Sequence, residues 1–121
     1  MSAPAVIAIG CGAALGFDLL GSAASRWLGF PYSRLAPGSS AIYTVTSVVA
    51  ARHGPAWVGI VAGATVAFVE ATMGWGISWW IGPGRPPQAL SRARMFGIVL
   101  LVTMTGIACG VVGTIVAAVV R

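Results

Sequence analysis

The sequence predicts an all-α membrane protein, a bundle of four transmembrane helices. Three observations lead there. Only 7% of the 121 residues are charged and 58% are hydrophobic, whereas a soluble domain carries about 25% charged residues. The apolar stretches are separated by short clusters of Pro, Gly and Arg. Three of those stretches exceed the ~20 residues needed to cross a hydrocarbon core.

The first span is expected at about 4–29. Pro4 suits a first helical turn, and Phe30-Pro31 breaks the helix after Arg26-Trp27. Asp18 interrupts the apolar run, and Met1-Ser2-Ala3-Pro4 lacks a basic leader, so an uncleaved helix is expected rather than a signal peptide. The second span, about 35–51, opens at Pro37-Gly38 and ends at Arg52-His53-Gly54-Pro55. At roughly 17 residues it sits at the lower limit for crossing. Its alternative is a re-entrant half-helix shielded by protein. The third span is expected at about 56–81, before Gly82-Pro83-Gly84, and the fourth at about 94–120.

All four form one transmembrane domain, 1–121. Two hairpins, 1–54 and 55–121, could be internal repeats. Gly21…Ser25-Arg26-Trp27-Leu28-Gly29 parallels Gly74…Ser78-Trp79-Trp80-Ile81-Gly82, and a lone acid precedes each.

Arginine placement sets the orientation. With four spans, Arg26, Arg34, Arg85, Arg92 and Arg94 share one side, opposite Arg52 and Arg121. The positive-inside rule then puts loops 30–36 and 82–93 in the cytoplasm and both termini outside. Trp27, Tyr32, Trp79 and Trp80 fall at the cytoplasmic interface and Trp57 at the other, as amphipathic rings prefer. Lysine and asparagine are absent while Ala and Gly abound, which fits a GC-rich bacterial genome and an inner-membrane location. The net charge of +5 does not indicate nucleic acid, because the arginines stand singly at segment ends instead of forming a phosphate-binding stripe. The lipid bilayer is the expected partner.

Small residues recur every fourth position: Ala8, Gly12 and Gly16; Gly59, Gly63, Ala67 and Ala71; Gly106, Gly110, Thr114 and Ala118. Such faces let backbones approach closely, since lipid supplies no hydrophobic drive between helices. Gly12, Gly16, Gly59, Gly63, Gly106 and Gly110 are therefore the expected packing positions. They would serve within the chain, in a homo-oligomer or against other membrane subunits.

Asp18 and Glu70 are the only acids. Each lies about 20 Å along its helix, so parallel helices would hold them at similar depth. Glu70 shares the small-residue face of Gly63 and Ala67. Asp18 shares a stripe with Cys11, Ala14, Gly21, Ser22 and Ser25. An ionisable side chain at the bilayer centre costs about 2.5–3.5 kcal/mol on insertion scales and usually faces inward. Asp18 and Glu70 are thus candidate ion- or proton-binding residues, with Tyr43 and Ser47 from the hydroxyl-rich second span beside them. The structural alternatives are neutral acids hydrogen-bonded to those hydroxyls, or pairing with Arg26 or Arg52 reaching inward. Ser39 or Ser40 is expected as the N-cap of the second helix.

Little else carries chemistry. Cys11 and Cys109 lie in different apolar segments without a C-x-x-C, and His53 sits alone in a turn, so no metal site is expected. No nucleophile elbow, P-loop, H-E-x-x-H or dinucleotide fingerprint occurs, so neither cofactor nor enzyme activity is expected. The expected function is a proton or small-cation transporter or channel. The alternative is a non-catalytic accessory or structural subunit of a larger membrane complex.

Overall fold

A computed structural model describes residues 2–86 and 89–120. It is all-helical, at 85% helix, with no strand among the described residues. Helix α1 runs Ala3–Leu28. The Ser2 side chain caps it by accepting from the Ala5 amide at 3.3 Å, and Gly29 ends it in the left-handed region at φ 77°. A 3₁₀ turn, Tyr32–Leu35, leads into α2, Ala36–Arg52. Helix α3 spans Trp57–Ile81, and Glu70–Gly74 within it winds as a π turn. Helix α4, Arg92–Val119, is capped by Ser91, which accepts from the Arg94 amide at 3.2 Å.

Helices α1, α3 and α4 are each long and apolar enough to cross a membrane. At 1.5 Å per residue they measure about 39, 38 and 42 Å. Helix α2 has 17 residues and measures about 26 Å. Pro37 and Gly38 lie inside its first turn rather than at a break. Leu35 takes the cap position without a side-chain bond, so neither Ser39 nor Ser40 is the expected N-cap.

Helices α2 and α3 form the central pair. Helix α1 packs on one side of this pair and α4 on the other, and among the described residues α1 and α4 do not meet. The core is built from small and medium side chains: Ala14, Tyr43, Val66 and Ala67 in one cluster, and Val6, Ala50 and Ala62 in another. Close backbone contact replaces bulk. A methyl on Gly63 would strike the Gly106 carbonyl, and one on Gly106 would strike Ala67 and the Gly63 carbonyl. Gly110 lies against the Ile60 backbone and Gly59 against Thr114 and Ala51. These four glycines pack as their spacing predicts. Gly113, which the ladder missed, faces Ser47 and the Thr44 carbonyl.

The α1 ladder needs correction within the chain. A methyl on Gly12 or Gly16 would meet nothing within 4 Å. Helix α1 instead buries Val6, Gly10, Ala14, Asp18, Gly21, Ser22 and Ser25. Two small-residue stripes compete on this helix, and the one bearing polar side chains turns inward.

Helix α4 has its fully buried residues in its second half. Its buried residues are Gly106, Gly110, Gly113 and Ala117, and none precedes Gly106. The half nearer Arg92 is more exposed, at Phe96, Leu100 and Leu101, and meets the core through the partly buried Val102.

Candidate site: a buried carboxyl pair

The site forms where α1, α2 and the π turn of α3 converge. Asp18 lies about 15 Å before the end of α1 at Leu28, and Glu70 about 16 Å before the end of α3 at Ile81. The two acids are only 2% and 7% exposed, and their carboxyls lie against each other. The matched depth expected from their sequence positions is what brings them together.

Glu70 is held by α2. The Ser39 Oγ donates to its Oε1 at 2.5 Å, and the Tyr43 hydroxyl donates to its Oε2. Ser39 and Tyr43 are four apart, so one face of α2 supplies both donors. Each Glu70 carboxyl oxygen thus has one hydroxyl partner. Asp18 is held differently. Its carboxyl lies within reach of the Glu70 carboxyl and the Tyr32 hydroxyl, but its buried Oδ2 has no hydrogen-bond partner among the described residues. An unmatched buried acceptor costs about 1–3 kcal/mol.

Gly74 closes the π turn and makes the approach possible. A methyl there would strike Asp18 Oδ2 and come within 3.1 Å of the Glu70 Cγ. The backbone at Gly74 is ordinary helix, φ −64°, so space rather than conformation demands the glycine. One residue is in effect inserted in the helix at a π turn, and such turns recur at functional sites. Here the turn begins with the acid itself and ends with the glycine its partner acid lies against. Beyond it, Ser22 donates to Ser78 at 2.8 Å, tying α1 to α3.

A cavity of about 240 Å³ lies beside the pair, and its lining includes Asp18, Glu70, Tyr32, Ser39, Tyr43 and Trp75, with Ile98, Val102 and Thr105 of α4. A second, polar hollow of about 610 Å³ opens at the arginine-rich end, lined by Arg26, Arg85, Trp80 and Ser25 among others. Tyr32 lines both and forms the wall between them.

The other candidate residues divide. Tyr43 is in the site. Ser47 is not: it donates back to the Tyr43 carbonyl at 2.7 Å and packs against Gly63 and Gly113. Arg26 donates to the Ile81 carbonyl at 2.7 Å and Arg52 to the Val120 carbonyl at 3.2 Å. Both cap helix ends rather than reaching the acids. Trp27 and Trp80 are 79% and 80% exposed, whereas Trp75 turns inward and its Nε1 donates to the Gly84 carbonyl at 2.9 Å. Tyr32 and Gly74 are site residues that sequence reasoning did not connect with the acids, whereas Ser39 belonged to the hydroxyl-rich stretch expected beside them. A hydroxyl one helical turn before Tyr43 was the available signal for Ser39.

Among the described residues, no three His, Cys, Asp or Glu side chains gather as a metal site. No protein-family model, curated protein or solved structure matches this chain.

Proposed function

We propose that this chain is a multi-pass inner-membrane protein of four spans that moves protons or a small cation through the Asp18–Glu70 pair. The observation that carries the proposal is the burial of two carboxyls against each other, with no arginine pairing and one oxygen left unmatched among the described residues. A purely structural acid would complete its hydrogen bonds. An acid that must gain and lose a proton or cation has reason to leave one site open.

The short second helix fits a span when its approach is included. The 3₁₀ turn Tyr32–Leu35 adds about 8 Å at 2.0 Å per residue. With α2 the rise is about 34 Å, enough for a ~30 Å core. Four spans place the carboxyl pair between the bilayer centre and the arginine-rich face. Tyr32 stands between the pair and the arginine-lined hollow, and its hydroxyl provides a route for protons from that side.

The test is flux. Reconstituted into liposomes carrying an internal pH indicator, the protein is expected to dissipate an imposed pH gradient. Asp18→Asn and Glu70→Gln should each slow it by about tenfold or more, the loss associated with removing a proton-transfer group. Circular dichroism and gel filtration establish that the variants fold. Wild-type flux in both folded variants would remove the proposal. The accessory-subunit reading keeps one favourable observation, the outward Gly12/Gly16 stripe, and predicts co-purification with other membrane proteins in mild detergent.

A further inference from the structure

We infer that the cavity beside Asp18 binds a small lipophilic monocation, an ammonium carrying an apolar or aromatic group. This rests on the transport reading and narrows its cargo.

Size comes first. A cavity of 150 Å³ lined by apolar side chains accepts benzene. At about 240 Å³, this one has room for such a ring and a compact ammonium head, roughly eight to eleven non-hydrogen atoms. The walls come next. Leu35, Ala71, Ile98 and Val102 are apolar, and Tyr32, Tyr43 and Trp75 add three aromatic rings. Ring faces attract cations most strongly where water is excluded. Charge then selects the sign. Both acidic side chains of the chain line this cavity, and Arg26 and Arg52 are turned to helix-end carbonyls. Glu70 is satisfied by Ser39 and Tyr43. Asp18, 98% buried, offers an oxygen with no partner among the described residues, to which an N–H⁺ head would donate a hydrogen bond and a quaternary head would bring only its charge.

A metal ion fits less well. Hard cations need six or more oxygen ligands to replace their water. Apolar and aromatic walls do not supply that shell.

The route of entry agrees. Ser33, Ala36, Ile98 and Thr105 line the cavity and are exposed. Its mouth therefore lies on the flank between α2 and α4, beside the more exposed first half of α4. The end of the bundle carries Arg26 and Arg85, whose charge opposes a cation approaching from water. A cation that partitions into lipid reaches the flank without passing them.

Calorimetry on the full chain in lipid nanodiscs tests this with benzyltrimethylammonium, its uncharged isostere 2,2-dimethylpropylbenzene, and sodium. Saturable binding of the ammonium is expected, with the isostere weaker by about tenfold or more. Asp18→Asn should lose about as much. Val102→Trp fills the cavity without altering a carboxyl and should abolish binding, while Gly12→Leu on the outward face should leave it unchanged. Circular dichroism establishes that each variant folds. The inference is overturned if wild-type protein shows no saturable binding, if the isostere binds equally, if sodium displaces the ammonium at equal concentration, or if folded Val102→Trp binds normally. Proton flux on the same preparations separates the two ideas. Asp18-dependent flux without ammonium binding removes this inference and leaves the transport reading. Ammonium binding with flux indifferent to Asp18 and Glu70 keeps the site and removes transport.

Discussion

The chemistry of this protein is concentrated in a few atoms around Gly74. Its absent side chain is what lets Asp18 lie beside the π turn, since any methyl there would strike the Asp18 carboxyl. Gly74→Ala is therefore expected to push the two acids out of register, costing about 1–3 kcal/mol as an overpacking change. Proton flux should fall with it. Gly76 is the control: it sits in the same helix with nothing within 4 Å. Gly76→Ala should leave flux unchanged and stabilise the helix by about 0.5–1 kcal/mol. Flux assays and thermal melts on both variants decide the point, and equal behaviour would contradict the crowding argument. Tyr43 illustrates a different constraint. Its hydroxyl bonds Glu70, while its ring belongs to the apolar core, so one side chain both fills space and orients the acid.

At the scale of helices, the buried carboxyl pair and the tightest glycine packing occupy different parts of the same bundle. Toward the ends of α2 and α4, Gly59, Gly63, Gly106, Gly110 and Gly113 bring three helices into backbone contact. Toward the start of α4 no residue is buried, and the cavity fills the space left. The glycine contacts thus leave no space where they occur, while a cavity lies beside the carboxyl pair. Gly63→Val should destabilise the fold by about 1–3 kcal/mol or more, because Gly106 and Gly110 leave no room for a side chain. The same change at Gly12 or Gly16 should shift stability by less than about 0.5 kcal/mol. Unfolding in detergent, followed by helix content, measures both. Similar costs at Gly12 and Gly63 would mean that another chain covers the outward stripe.

For the whole molecule, topology is the decisive property. Only α1, α3 and α4 meet the length and hydropathy of a span by themselves, so the side on which α3 ends depends on α2. In a chain with Cys11 and Cys109 replaced by Ala, Ser2→Cys and Ser91→Cys are expected to react with a membrane-impermeant maleimide from opposite faces, Ser91 from the cytoplasm. Labelling from the same face would make α2 re-entrant and reverse α3. Native mass spectrometry of the gently extracted protein then reads the assembly state. Homo-oligomers are the expected species if Gly12 and Gly16 pack copies of the chain together.

Much of this was legible in one dimension. Span limits follow from runs of apolar residues bounded by Pro, Gly and Arg, and the observed ends of α1, α3 and α4 lie within two residues of the expected ones. Asp18 and Glu70 stand out because they are the only acids, and counting residues from each helix start places them at one depth. Ser47 looked equivalent to Ser39 because hydroxyls recur along α2, but only a neighbouring helix determines which hydroxyl meets an acid. The choice between the Gly12/Gly16 stripe and the Asp18 stripe was likewise tertiary. Lipid exerts no hydrophobic preference between two apolar faces, so the rotation of α1 is decided by polar partners and backbone fit. The π turn at Glu70–Gly74 left no periodic signal, because a single extra residue shifts the helical phase without changing composition. Length, depth and sign of charge thus belong to the sequence. Which faces meet belongs to the folded bundle, since contact depends on the shapes of neighbours that no single helix contains.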